Sequence, residues 1–323
     1  MGYGIGGYLS LEKQAAFGTP VSSSPAYIPF VSESLTENKN LLTITNLRNV
    51  YDSPNDLQGT NNVTGDIVFE PHPIYLGHFL RGCITAGTVS STLQTSAYLH
   101  EFLPAQAEFA EDCTLPPYTI TIYKNVGSAY TIADGLIHTL GIEMVAGEIV
   151  KCTATVHGRA YTKSAKASPS YIAADPFTWN QVSLQVGGSA NGVFESANLT
   201  ITNPIDGIMA LNASTNEARL LRNDFRTITI DGDQSFENQA QEAKFRDQSL
   251  QAFKFTVTGD TVVGNTGEYN QLTLDMPDVR YTTYAYPIGG PGRITAAYEA
   301  KAQYDTTSSY ALRTTLQNTA QSY

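Results

Sequence analysis

Hydrophobic and polar residues alternate along much of this chain. The clearest alternations are Leu42-Thr43-Ile44-Thr45, Val63–Glu70, Tyr118–Ile122, Leu199–Thr202, Phe225–Ile230 and Phe253–Val257, bounded by Gly, Pro, Asn and Asp. A period of two puts successive side chains on opposite faces of a strand, so these segments predict half-buried strands. Residues 148–161 and 292–304 fit two further, longer antiparallel strands. Helical periodicity is rare. Leu76, Phe79, Leu80 and Cys83 follow the i, i+3, i+4, i+7 pattern after Pro73, which predicts a short amphipathic helix. Residues 240–252 have helix-forming composition but only a weak apolar stripe.

The elements come twice in the same order. Leu42–Asn46 and Leu199–Asn203 are one pentapeptide, Leu-Thr-Ile-Thr-Asn. In each half there follow an alternating strand ending in acids, a short helix, and the strands Tyr118–Ile122 or Phe253–Val257. Next come Leu140–Met144 or Leu272–Met276, and then a long closing strand. This order predicts a mainly β protein of two similar β-sandwich domains, 25–162 and 177–304, each with a short helix and derived by internal duplication. The Ser/Ala/Pro-rich segment 163–176 reads as the linker, 1–24 as a Gly/Ser-rich N-terminal arm and 305–323 as a polar C-terminal arm. The segment 84–117 is extra to the first half. Long polar connections, Leu47–Asn62 and Pro204–Asn223, follow the two pentapeptides; loops of that length are usually functional or disordered.

Composition narrows the function. Charged residues are only 15% of the 323, against about 25% in typical domains. The net charge of −11, from 19 Lys+Arg and 30 Asp+Glu, argues against a surface that holds nucleic acid by neutralising phosphates. No stretch approaches the roughly 20 apolar residues of a membrane span, and no membrane partner is expected. Met1–Gly7 shows neither a basic nor an apolar signal-peptide region. Cys83, Cys113 and Cys152 share no C-x-x-C spacing, so neither a disulfide framework nor a zinc site is expected, and the chain is expected to fold in a reducing cytosol.

No motif assigns an active site. The Gly2/Gly4/Gly6/Gly7 cluster lacks the dinucleotide spacing and a preceding strand. Asp231-Gly232-Asp233 with Glu237 lacks the Gly and Glu positions of a calcium loop. Glu70, His72 and His78 are interrupted by Pro71 and Pro73, and Ser189 sits in a Gly-rich turn. Trp179 reads as a core plug at the entry to the second half. No catalytic, cofactor or metal residue is assigned, and no cofactor is expected. One alternative is a carbohydrate-binding or adhesive β-sandwich module using Tyr281, Tyr284 and Tyr286 as stacking platforms.

Alternation also assigns faces. Val63, Ile67 and Phe69 should face the core, leaving Thr64, Asp66, Val68 and Glu70 on the opposite side. Ile228 and Ile230 should do the same in the second half, leaving Thr227, Thr229, Asp231 and Asp233 outward. Both halves thus present threonines and acids on the matching strand.

Several segments resemble the major tail tube proteins of long, non-contractile-tailed (siphovirus-type) bacteriophages. They are Gly7–Pro20 (Gly-Tyr-Leu-Ser-Leu-Glu-Lys-Gln-Ala-Ala-Phe-Gly-Thr-Pro), Tyr27–Leu35, Val63–Glu70, and Leu184–Gly188 leading into Leu199–Asn203. The resemblance implies β-sandwich domains whose inner sheets join around a ring, with stacked rings forming a hollow tube that conducts the genome and needs no cofactor. Single-domain members form hexameric rings, so a duplicated chain implies trimeric, pseudo-sixfold ones. Implied partners are further copies of the chain, a tape-measure protein, tail terminator and tip proteins, and double-stranded DNA passing without adhesion. The implied location is the virion tail, after synthesis in the host bacterial cytoplasm. In such a tube Asp66, Glu70, Asp231 and Asp233 are candidates to line the lumen; a solvated place on the outer wall is the alternative.

Overall fold

The computed structural model describes residues 2–85, 89–262 and 267–323. Met1 of the expected N-terminal arm and 86–88 of the expected extra segment lie outside these. In chain order the first half contains β1 (Tyr8–Lys13), β2 (Ala26–Ile28), β3 (Ser32–Glu33), β4 (Thr36–Leu42), β5 (Leu57–Phe69) and helix α1 (Pro73–Ile84). It continues with β6 (Ser90–Leu93), β7 (Tyr98–Phe102), β8 (Tyr118–Tyr123), β9 (Ala129–Val145), β10 (Lys151–Gly158) and β11 (Ala160–Ser164). The second half has β12 (Val182–Val186), β13 (Ser189–Ala190), β14 (Ser196–Thr202), β15 (Ile205–Ile208), β16 (Arg219–Arg222) and β17 (Thr227–Ser235). Helix α2 (Ala240–Arg246), β18 (Gln251–Thr261), β19 (Tyr269–Ala285), β20 (Thr295–Gln303) and β21 (Arg313–Asn318) complete it.

Two 17-residue strands, β9 and β19, organise the halves. Each begins in one sheet and ends in the other. In the first half the sheets run β2-β1-β8-β9-β11 and β4-β5-β10-β9. In the second they run β13-β12-β18-β19-β21 and β14-β17-β20-β19. The strand order is the same in both. The change of sheet comes where the ladder is interrupted. In β9, Asp134 adopts a positive φ of 55°, and in β19 the switch falls at Pro277, which has no N–H to donate.

The halves are also interlocked. β14 pairs with the C-terminal part of β9, from Thr202↔Thr139 to Ser196↔Val145. This joins the two second sheets into one, ordered β4-β5-β10-β9-β14-β17-β20-β19. From the first half, β7 pairs with β21 and carries β6 with it, extending the other half's sheet. In return the β15–β16 hairpin reaches across to the first half. There Asn61 donates its N–H to the Thr215 carbonyl (2.8 Å), and Glu217 accepts from Asn62 at 3.0 Å and meets His157 Nε2 at 2.7 Å. Leu220 of β16 is buried with Cys113, Leu115 and Leu136. Residues 90–102 thus fall within the sequence range expected for the first domain but serve the second half's sheet.

One continuous core spans both halves, from Leu9 to Leu316. Helix α1 lies inside it and is buried on nearly every side, including Gly77, Arg81 and Gly82. It is more enclosed than an amphipathic surface helix because β9 lies along one flank and β14 and β21 along others. Helix α2 ends at Arg246 rather than 252 and buries only Glu242.

The structure corrects several expectations. The terminal segments are not simple arms. Residues 8–13 form β1, with Tyr8, Leu9 and Leu11 in the core, and 313–318 form β21. Tyr323 packs on α1 so closely that a Cβ at Gly77 would meet its ring, and its hydroxyl donates to the Ile74 carbonyl at 2.6 Å. The two pentapeptides occupy different places: Leu199–Thr202 lie mid-sheet in β14, whereas β4 ends at Leu42 and 43–46 leave the sheet. The long connection in the second half is the β15–β16 hairpin; in the first half β5 already begins at Leu57, leaving 43–56 as the loop. Trp179 is 48% exposed, and it is Phe177 that plugs the core. Tyr281 and Tyr284 are buried and cannot serve as stacking platforms, while Tyr286 stacks on Phe236.

Candidate functional site

The joined sheet has one face on the core and one open face. The inward set on β5 is Val63, Ile67 and Phe69, and on β17 it is Ile228 and Ile230, as alternation requires. The open face therefore carries Thr64, Asp66 and Val68 of β5, with Glu70 just past its end, and Thr227, Thr229, Asp231 and Asp233 of β17. Register brings neighbours onto the same face. Asp66 is opposite Thr155 of β10, whose hydroxyl donates to its carboxylate at 2.7 Å. Asp231 lies between Asn198 of β14 and Glu299 of β20, and Asn198 donates to it at 3.3 Å. Burial raises the Asp231 pKa above the ordinary carboxylate value, and the nearby Glu299 and Glu143 carboxylates add to the rise.

The four expected acids thus share one face, in two groups belonging to β5 and β17 and separated by β10, β9 and β14. That face holds more than was expected. Register adds the acids Glu143 and Glu299 and the cations Lys151, Lys301 and Arg280. The surface is a mixed field of threonines and charges with acids in excess, rather than a purely acidic wall. The missed members follow the same alternation: in Thr295–Gln303, Ala296, Tyr298, Ala300 and Ala302 point inward while Glu299 and Lys301 point out. Alanine is too weakly hydrophobic to make that pattern conspicuous.

Two edges bound the sheet. Among the described residues, β4 pairs only with β5, and the 280–285 stretch of β19 pairs only with β20. Each leaves a row of main-chain N–H and C=O groups without a strand partner, which is a template for another chain. Beyond Val63, the last residue that β10 covers, β4 and β5 continue as a two-stranded arm to Leu42 and Leu57. Leu41, Leu42, Leu47, Val50, Tyr51 and Leu57 of this arm are all exposed.

The joint between the halves is closed by a buried polar hub. Asn203, fully buried, donates to the Cys83 carbonyl of α1 at 2.9 Å and accepts from Arg226 at 2.8 Å and Arg222 at 3.2 Å. Arg226 also donates to the Ala105 carbonyl at 2.9 Å; burial, with Arg222 beside it, lowers its pKa to about 10. The Cys83 and Cys113 thiols are pushed up to about 12, chiefly by burial, and stay protonated at neutral pH. No helix is long and apolar enough to cross a membrane among the described residues, and none of these residues gather three or more His, Cys, Asp or Glu as a cation site.

No curated protein matches the sequence. A family model described as phage tail tube protein matches residues 4–302, nearly the whole chain. A β-rich chain with an open sheet face, two unpaired sheet edges and this match belongs to the phage tail tube protein family, whose members are structural proteins of the virion tail.

Proposed function

We propose that the chain polymerises into the hollow tail tube through which double-stranded DNA passes during ejection, and that each ring contains three copies. The observation that carries this reading is the β9–β14 pairing, which joins one half's sheet edge to edge with the other's. A second joint of the same kind, between the 280–285 edge of one copy and β4 of the next, repeats it. Three copies then bring six four-stranded sheets into a closed barrel with no free edge. The matching strand order of the halves supports an origin by duplication of a single-domain ancestor.

The open sheet face becomes the lumen, placing Asp66, Glu70, Asp231 and Asp233 toward the DNA. Each Lys or Arg that paired with a phosphate would add affinity through counterion release. Carboxylates in excess repel phosphates over roughly 8 Å at physiological salt, and the interspersed cations keep that repulsion moderate. The arm 41–57 makes the contact between stacked rings, and the tape-measure, terminator and tip proteins meet the tube at its length and ends. Nothing in this role asks the chain for catalysis. A reconstruction of tubes grown from purified protein tests the reading: three chains per ring with the four carboxylates on the inner wall is the expected result. Six chains per ring would overturn the stoichiometry, and carboxylates on the outer wall would overturn the lumen assignment.

A further inference from the structure

Resting on the tube reading, we infer that a groove beside Trp179 is the receptor for the arm of a chain in the next ring. Three observations lead there. The first is the arm itself. Past Asn61 and Asn62, which the β15–β16 hairpin holds, residues 57–60 of β5 pair only with β4, so about 13 Å of two-stranded ribbon, with the loop 43–56 at its end, projects past the body. Such ribbons are marginally stable alone in water, and this one ends in Leu47 and Tyr51, which are fully exposed. An apolar tip on a ribbon of this kind is built to be covered.

The second observation is an uncovered apolar groove of about 670 Å³ whose walls include Met144, Trp179, Val182, Leu184, Phe194 and Phe255. That is the size of a site that encloses a small ligand, or a few side chains of a loop tip. Trp179 stands half-exposed at the groove and is the chain's single tryptophan. Large aromatic residues in such positions commonly anchor protein contacts.

The third observation fixes the occupant. β5 and β9 run parallel, both being antiparallel to β10. The arm leaves from the start of β5, while the groove opens where β9 ends at Met144 and Val145, level with Phe69. From Gln58 to that level is about 40 Å along the strand, so a chain cannot place its arm in its own groove. A copy displaced along the strand direction can. Arm and groove lie at opposite ends of one sheet, so the contact is head-to-tail, and head-to-tail contacts that do not close on themselves generate open filaments.

The test uses full-length protein in two variants, Tyr51→Asp with Leu47→Asp for the arm and Trp179→Asp for the groove. Circular dichroism and thermal melting first establish that each keeps the wild-type fold. Each variant alone should raise the protein concentration needed for tube formation at least tenfold. An equimolar mixture, in which only one variant's intact arm and the other's intact groove can meet, should give stacks of two rings by electron microscopy. As a measurement independent of folding losses, Leu47→Cys with Asn180→Cys in one chain should give a disulfide-linked ladder on oxidising wild-type-like tubes. Neither single variant should do so, because Cys83, Cys113 and Cys152 are buried. Tubes at the wild-type concentration from Trp179→Asp, or no ladder from the double-cysteine chain in intact tubes, would overturn the groove assignment and leave the tube reading standing. Failure of the wild-type protein to form tubes at all would overturn both.

Discussion

Leu-Thr-Ile-Thr-Asn occurs at 42–46 and again at 199–203, and the two copies have opposite fates. At 199–203, Leu199, Ile201 and Asn203 are buried, because β9 and β17 flank the strand and α1 lies beneath its end. At 42–46 only β5 is alongside, and Leu42 is exposed at the end of the arm. Five identical residues carry the same propensities, so the difference is made by neighbours far away in sequence. The halves as wholes repeat this lesson. They share strand order, and they differ in the connections, which in the second half fold back onto the body and in the first project from it.

That contrast can be broken most severely at the hub. Asn203→Ala leaves the half-buried Arg226 guanidinium short of an acceptor and the buried Cys83 carbonyl short of a donor, and should cost about 3–4 kcal/mol in urea unfolding. Asn46→Ala, the same change in the other pentapeptide, should stay within about 0.5 kcal/mol, since its amide lies on the exposed arm. Comparable losses from the two would refute the difference drawn here.

Glycine tests the likeness of the halves instead. A Cβ at Gly65 would meet the Ser34 carbonyl oxygen at 2.5 Å, and one at Gly232 the Ser196 carbonyl oxygen at 2.2 Å. Each crosses from the acid-bearing strand to the preceding segment of its own half. Gly65→Val and Gly232→Val should therefore each cost about 2–3 kcal/mol by the same measurement. A neutral result at one position would mean that the resemblance stops at strand order.

Acid should separate the halves. All five histidines, His72, His78, His100, His138 and His157, belong to the first. Burial, with Arg81 nearby, lowers His78 from 6.5 to about 4, and burial also lowers His100 and His138. A folded-state pKa below the unfolded one stabilises the protein above the unfolded value, and the contribution is lost as pH falls from 6.5 through about 4. At pH 5 the His78 share of the loss is about 2 kcal/mol. Amide exchange around α1, corrected for its intrinsic rate, should accelerate about thirtyfold between pH 7 and 5, while β17–β20 change less. His78→Gln should flatten that dependence.

The smallest effects belong to the loops. Replacing 209–218 by a short turn removes the Glu217 contacts to Asn62 and His157 and should cost about 1 kcal/mol. Replacing 43–56 by Asn-Gly should change monomer stability by less than about 0.5 kcal/mol.

Much of the fold could be read from the chain. The faces of β5 and β17 follow from Val63, Ile67, Phe69, Ile228 and Ile230, and α1 from its four spaced apolar residues. β21 could not be read, because its inward positions are Thr314, Leu316 and Asn318, two of which are polar, and Asn318 is held by the Pro73 carbonyl that only the fold brings to it. β1 was hidden by the glycines before it. The core plug at the entry to the second half is Phe177 rather than the expected Trp179, because two large apolar residues at one turn do not say which of them points inward. For the site, alternation located Asp66 and Asp231, but the cations beside them come from strands whose register no local pattern specifies.

The β9–β14 joint has a kinetic consequence. In the proposed ring of three, every second joint is already made when a chain finishes folding, because its two edges are tethered by the chain at an effective concentration in the millimolar range. Only the joints between copies depend on how much protein is present. Such a ring then takes two encounters between separate bodies where six separate domains would take five, and each encounter avoided also avoids a loss of translational and rotational freedom. Two unlike kinds of joint also alternate around such a ring, so either can be changed by mutation without altering the other.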